Sequence, residues 1–247
     1  MKVIISNTKE ELGKAAGSEA ATIIKQAISG KGYANIIVAT GTSQFDTLAE
    51  LIQDKDIVWS KVTMFHLDEY IALPISHPAS FRKYLNDRFL TQISPLKSVN
   101  LINGENDPEV EIAKLNDIIR QHPIDLALVG VGENGHLAFN DPPADFDIED
   151  PYLVVNLDEQ CRRQQMGEGW FSSLEDVPMR AISMSIQQIM KSEYIICSVP
   201  DARKAAAVRN SLENEISNMF PASILQEHTN CTFYLDKDSA SMLSDKY

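Results

Sequence analysis

Asp125-Leu126-Ala127-Leu128-Val129-Gly130-Val131-Gly132-Glu133-Asn134-Gly135-His136-Leu137-Ala138-Phe139-Asn140-Asp141-Pro142 is the stretch that decides the fold class of this chain. Its first part, Asp125 to Val131, is an apolar run that predicts a strand buried on both faces. Gly130, Gly132 and Gly135 then make a turn that lets backbone come close to whatever binds there. The turn presents His136, with Asp141 five residues on and an Asn-Asp-Pro turn to hold that carboxylate. An imidazole beside a carboxylate moves protons near neutral pH. Taken alone, the stretch reads equally well as a Gly-rich strand-to-helix loop with a structural histidine. Its partners elsewhere in the chain shift the balance.

Outward from this strand, helix-like and strand-like segments alternate, which predicts a three-layer α/β domain with a mostly parallel central sheet and helices on both faces. Thr8 to Ser29 reads as a helix capped by Thr8, with Glu10 and Glu11 in its first turn and Gly30 at its end. Strands are expected at Ala34–Ala39, Lys61–Leu67, Leu153–Leu157, Arg180–Ile186, Tyr194–Val199 and Cys231–Leu235, and helices at Gln44–Gln53, Ala79–Phe89, Asp107–Gln121 and Ala202–Ser211. No repeat or linker divides residues 1–247, so a single domain is expected. Residues 158–178 are the least regular part and read either as a surface excursion or as a lid hinged near Gly167 and Gly169.

Composition narrows the class. The chain has 247 residues, 44% hydrophobic and 7% aromatic, enough for a full core. No apolar run reaches the roughly 18 residues of a membrane span, and Met1 to Ser6 does not read as a signal peptide. Cys161, Cys197 and Cys231 are odd in number and widely spaced, which points to plain thiols, with no disulfide framework or zinc site. A cytoplasmic protein is expected. The formal charge of −13 opposes nucleic acid and acidic membranes as partners, while a small anion senses local groups more than the total. With no Walker A pattern and no Gly-x-Gly-x-x-Gly after an early strand, no nucleotide cofactor is expected, and no metal.

Ligands of open α/β sheets bind beyond the carboxyl ends of the strands, and four polar clusters fall at such ends. Thr40-Gly41-Thr42-Ser43 offers backbone N–H groups and hydroxyls that suit a phosphate, or plain capping. His66-Leu67-Asp68-Glu69-Tyr70 offers a carboxylate base. The glycine turn offers His136 and Asp141. Asp201-Ala202-Arg203-Lys204 places a lysine in a first helical turn, against the dipole, where an anion would justify it. Together these make a phosphate cradle, a base and a proton shuttle. His66, His122 and Trp59 are expected to be structural.

Ala39-Thr40-Gly41-Thr42, Leu67-Asp68-Glu69-Tyr70, Gly135-His136-Leu137-Ala138-Phe139-Asn140-Asp141-Pro142, the Lys204 helix, His77-Pro78-x-Ser80 and Ser223-Ile224-Leu225-Gln226-x-His228 together resemble the glucosamine-6-phosphate deaminase (isomerase) family. The resemblance implies a Rossmann-like fold and conversion of glucosamine 6-phosphate and water to fructose 6-phosphate and ammonia, without cofactor. It implies Asp68 as the base between C2 and C1, and His136 as the ring-opening group oriented by Asp141. Thr40, Gly41, Thr42, Ser43 and Lys204 are implied around the phosphate. Asn134, counted with the site, stands where many members carry Asp, and Asp141 is one methylene shorter than the common Glu. The family's lid arginine has no clear counterpart near Gly167-Glu168-Gly169-Trp170; Arg162 and Arg163 are the nearest cations. Activated hexamers of the family carry basic residues shortly after Gly-His, whereas this chain has Asp145-Phe146-Asp147-Ile148-Glu149-Asp150, which implies no activation by N-acetylglucosamine 6-phosphate. A galactosamine 6-phosphate isomerase, a 6-phosphogluconolactonase and a non-catalytic sugar-phosphate sensor remain as alternatives, and a homo-oligomer stays open.

Overall fold

The computed structural model describes residues 1–247. In chain order the elements are β1 (Lys2–Ser6), α1 (Lys9–Lys31), β2 (Ala34–Val38), α2 (Phe45–Leu51), β3 (Val62–His66), β4 (Asp68–Tyr70), α3 (Phe81–Arg88), β5 (Ser98–Asn100), α4 (Pro108–Ile119), β6 (Leu126–Val129), β7 (Tyr152–Asn156), α5 (Glu159–Gly167), β8 (Arg180–Met184), α6 (Ile186–Met190), β9 (Tyr194–Val199), α7 (Ala205–Glu213) and β10 (Cys231–Asp236). Seven strands form one sheet in the order β1-β10-β9-β6-β2-β3-β5, and every pairing in it is parallel. The central strands β2, β3 and β6 are buried along their whole length, as their apolar runs require. One face of the sheet packs on Leu12, Ile24, Leu48, Leu51 and Leu85 of α1, α2 and α3, and the other on Leu115, Ile119, Ile189, Val208 and Leu212 of α4, α6 and α7.

The chain winds outward from β2 through β3 to β5 in one direction, and from β6 through β9 to β10 in the other. The strand order therefore reverses between β2 and β6. Loops leaving neighbouring strands on opposite sides of such a reversal diverge and open a crevice.

Several elements depart from the sequence expectation. α1 runs one residue past Gly30 to Lys31 and is capped by Gly32, whose φ of 86° is left-handed. β7 and β8 do not extend the main sheet; with β4 they make a separate antiparallel sheet in the order β4-β8-β7. The half-exposed face of β7 is the mark of a strand with one side open. Asp68–Tyr70 is thus a strand and not a loop, with Asp68 opposite Ser183. Residues 158–178 contain a regular helix, α5, capped by the Asp158 side chain on the Cys161 N–H at 2.6 Å. No helix is long and apolar enough to cross a membrane.

Candidate active site

A pocket opens at the reversal point, lined by Thr40, Gly41, Thr42 and Ser43 after β2, by Asp68 after β3, by Gly130, Gly132 and His136 after β6, and by Lys204 after β9. All four polar clusters picked out in the sequence meet there. The first loop is shaped by Gly41, whose φ of 96° favours glycine, followed by one turn of 3-10 helix at Thr42–Gln44. Gln44 binds this loop to the next strand, donating to the Val129 carbonyl at 3.2 Å and to Ser43 Oγ at 3.1 Å.

His136 and Asp141 form a hydrogen-bonded dyad, with Nδ1 and Oδ1 3.0 Å apart and both side chains buried. The same Asp141 oxygen accepts the Asn134 amide at 3.0 Å, and Oδ2 accepts the Asp158 N–H at 3.1 Å. Burial alone would raise the Asp141 pKa, but these donors outweigh it and hold the carboxyl below its ordinary range. An ionised, acceptor-only Asp141 fixes the His136 proton on Nδ1, which leaves Nε2 as the acceptor. Gly132 makes room for that ring: a Cβ there would lie 2.3 Å from Nε2. Asn134 spans the turn, its Oδ1 accepting the His136 N–H at 3.1 Å while its amide donates to Asp141. An Asp at this position would set two carboxylates in contact. The whole turn is pinned to β8 by Ser183 Oγ on the Phe139 N–H and by the Asn140 amide on the Met184 carbonyl.

Asp68 and Glu69, adjacent in sequence, have separate roles because β4 points them to opposite faces. Glu69 accepts the N–H groups of Tyr70, Phe81 and Arg82, the Ser80 hydroxyl and the Arg82 guanidinium, so it anchors the start of α3. Asp68 faces the pocket. Burial, with the Glu69 charge adding to it, pushes the Asp68 pKa up to about 8. His66 lies beneath, fully buried with neither ring nitrogen hydrogen-bonded, and burial drives its pKa down to about 3. It is a neutral core residue, as expected, and so is Trp59.

Lys204 is 6% exposed and reaches the pocket from the short 3-10 turn Ala202–Lys204. Burial holds its pKa below the ordinary value. Its acidic neighbours Asp201 and Glu133 are engaged by Arg203, at 2.9 and 3.7 Å. The backbone of Asp201 has a φ of 89°, a conformation that strains any residue but glycine, and this is the bend that turns Lys204 inward.

Sequence reasoning did not find three residues that complete the pocket: Gln164, Gln165 and Glu168 on or just after α5. The helical spacing of 164, 165 and 168 is the signal for one face, but which face turns inward depends on tertiary packing. Gln165 accepts the Tyr70 hydroxyl at 2.9 Å, Gln164 accepts the Glu133 N–H at 2.9 Å, and the Cys161 thiol is buried beside Asp141. Neither arginine of α5 faces the pocket. Arg162 donates to the carbonyls of Leu174 and Val177, and Arg163 pairs with Glu159 at the surface.

The chain matches the model of the glucosamine-6-phosphate isomerases/6-phosphogluconolactonase family over residues 7–234. A glucosamine-6-phosphate deaminase of Streptococcus uberis is 35% identical over 244 residues, covering 98% of this chain and all of that one. Another, of an Exiguobacterium species, is 35% identical over 246 residues, 99% of this chain and 93% of its own length. Among solved structures, a monomeric glucosamine-6-phosphate deaminase superposes with a TM-score of 0.88 at 35% identity, over 98% of this chain and 100% of that chain. The 6-phosphogluconolactonase of Trypanosoma brucei shares the fold at a TM-score of 0.81 and 19% identity, over 98% of both chains. The family match over residues 7–234 and near full-length coverage at this identity make the chain a member of the glucosamine-6-phosphate isomerase/6-phosphogluconolactonase family.

Proposed function

We propose that this protein converts an amino-sugar 6-phosphate, glucosamine 6-phosphate first among them, to the ketose phosphate and ammonia. The observation that carries this reading is the placement of two distinct proton-transfer groups, Asp68 and the His136–Asp141 dyad, in a pocket with an unpaired lysine. Lys204 and the N–H groups of Gly41 to Ser43 hold the phosphate, which orients C1 and C2 toward Asp68. His136 Nε2 takes the proton of the C1 hydroxyl and returns one to the ring oxygen, so that the pyranose opens to the aldehyde. The Asp68 carboxylate removes the C2 proton and delivers it to C1. The imine left at C2 adds water and expels ammonia. A base with a pKa of about 8 is matched to a weakly acidic carbon proton at working pH.

A hydrolase of the lactone requires water held for attack on an ester carbon. A buried, easily protonated carboxyl at Asp68 serves proton abstraction better, and this favours the isomerase. A small phosphorylated metabolite as substrate is in keeping with a cytoplasmic enzyme. Residues 1–247 would work as one domain with α5 as its lid. The pocket leaves about 80 Å³ open to water, whereas small-molecule sites occupy roughly 300 Å³ or more, so α5 would move to admit substrate. The test is stoichiometric release of ammonia and fructose 6-phosphate from glucosamine 6-phosphate without added metal, lost in Asp68→Asn. Turnover of the galacto epimer alone would reassign the substrate. Silence on both sugars and on 6-phosphogluconolactone, with binding intact, would make the protein a sensor.

A further inference from the structure

The pocket has an unusual charge inventory for a phosphate site. Its charged lining groups are Asp68, His136, Lys204 and Glu168, so the lid brings a carboxylate and no cation to the lysine end. Among the charged groups around Lys204, Glu168 acts on it most strongly, ahead of Glu133, Arg203 and Asp201. Glu168 is also held in place. Gln164 donates to its Oε1 at 2.9 Å and the Trp170 indole donates to its Oε2 at 3.3 Å. Each oxygen keeps a second lone pair free. The geometry is that of a fixed acceptor.

An ionised carboxylate facing an oxyanion is repelled unless the oxyanion carries a proton, in which case it accepts a short, charge-assisted hydrogen bond from it. We propose that Glu168 accepts the P–OH hydrogen bond of a phosphate monoester monoanion, so that this site selects the singly ionised ester over the dianion and over any sulfate ester. Lys204 and the Gly41–Ser43 N–H groups neutralise the unprotonated oxygens, and Glu168 reads the remaining one. This assigns Glu168 as a specificity-determining residue. It rests on the reading of the pocket as a phosphate site, though not on the chemistry at C1 and C2.

Other groups around this end also titrate or carry charge: Lys204 and Arg203 from the turn before α7, Glu133 from the glycine turn, Tyr84 from α3 and Tyr70 from β4, with Asp68 and His136 deeper in the pocket. All of them are shared by a Glu168→Gln variant, so comparison of the two proteins isolates Glu168. The probes are glucose 6-phosphate and glucose 6-sulfate, which carry no amine and are not deaminated, titrated calorimetrically at pH 6 and pH 8. A phosphate monoester with a second ionisation near pH 6 is about half monoanion at pH 6 and about one per cent at pH 8. Wild type should therefore bind glucose 6-phosphate up to roughly fiftyfold more weakly at pH 8, and should bind the sulfate weakly at both. Glu168→Gln should lose most of that pH dependence and take up the sulfate at an affinity close to that for the phosphate. Flat or tighter binding at pH 8 in wild type, an unchanged pH slope in Glu168→Gln, or no binding of glucose 6-phosphate at pH 6 each overturns the proposal. Ammonia release from glucosamine 6-phosphate is scored separately: turnover with a flat pH profile of affinity would sink Glu168 and spare the reaction. The selective profile without turnover would do the reverse.

Discussion

With its pKa carried up to about 8, Asp68 keeps a proton in the folded protein through a pH range in which the unfolded chain has already lost it. The folded state then binds more protons than the unfolded one, so stability contributed at this position falls as pH rises from near 4 to about 8. Asp68→Asn removes that liability. It is expected to unfold at a higher temperature than wild type at pH 8, with the gap closing toward pH 4, while ammonia release drops by roughly a thousandfold, as for loss of a general base. Calorimetric scans across pH beside the activity assay decide it; equal or lower stability at pH 8 would contradict the burial argument. His66 has the opposite sign. Its folded pKa lies near 3, so the unfolded chain binds the extra proton and stability is lost as pH falls from about 6.5 toward 3. His66→Leu, which also removes two unpaired buried nitrogens, should therefore be more stable than wild type at pH 5, and its advantage should shrink by pH 8. Asn134→Asp tests the dyad. A second carboxylate 3.0 Å from Asp141 makes the two share a proton, which weakens the hold on the His136 Nδ1 proton. The acidic limb of the activity profile should shift and turnover fall by about tenfold or more.

At the scale of elements, α5 is the piece that the sequence leaves undetermined. Residues 159–167 alternate Arg, Gln and Glu with few apolar side chains, so no hydrophobic stripe announces a helix or its inner face. Besides Cys161 and Met166 on the Tyr70–Phe81–Phe139 cluster, what seats α5 is a set of single polar contacts, Gln165 on Tyr70, Gln164 on Glu133, and Asp158 with Cys161 against Asp141. Such contacts join residues far apart in sequence and leave no local pattern. The strand ends behave differently. Thr40–Ser43, Asp68, His136 and Lys204 each follow a recognisable apolar strand, so their convergence is legible once the sheet is parallel. The small sheet was not: β7 and β8 read as strands, but nothing in their own residues sets them apart from the main sheet, and β4 is only three residues long. The polar seating of α5 has a measurable consequence. Tyr70→Phe deletes one hydrogen bond and leaves the buried Gln165 carbonyl unpaired, a loss of about 1 kcal/mol, or about fivefold in the opening equilibrium. Amide hydrogen exchange in α5 should quicken by about that factor, with α1 and α4 unchanged; no change confined to α5 would show that the helix is held by its apolar contacts alone.

Over the whole molecule, an acidic chain that takes an anionic sugar needs its charge segregated. Most of the charged side chains lie at the surface, while in the proposed site Lys204 and the oriented N–H groups of the first loop would meet the ligand inside a low-dielectric crevice. The loop that leaves the glycine turn shows the outer half of that division. Pro143 to Asp147 and Ile216 to Asn218 line an open cleft, with Asp145 and Asp147 on its wall, and farther along Asp150 is paired with Arg120 at 2.5 Å. A phosphorylated effector approaching this cleft meets carboxylates without a facing lysine or arginine, a repulsion worth about 1 kcal/mol per close pair even in water. The acidity was readable in the sequence; that the segment forms a cleft with residues 216–218, some seventy positions later, was not, because the two meet through backbone contact of Ala144 with Asn218 at 2.9 Å. No second anion site is therefore expected on this face. Rate against glucosamine 6-phosphate concentration should be hyperbolic, and N-acetylglucosamine 6-phosphate should leave both the maximal rate and the half-saturating concentration within twofold. A saturable activation that survives Lys204→Ala in binding experiments would place an effector site elsewhere and refute the charge argument; one abolished by Lys204→Ala would mean the effector had entered the pocket itself.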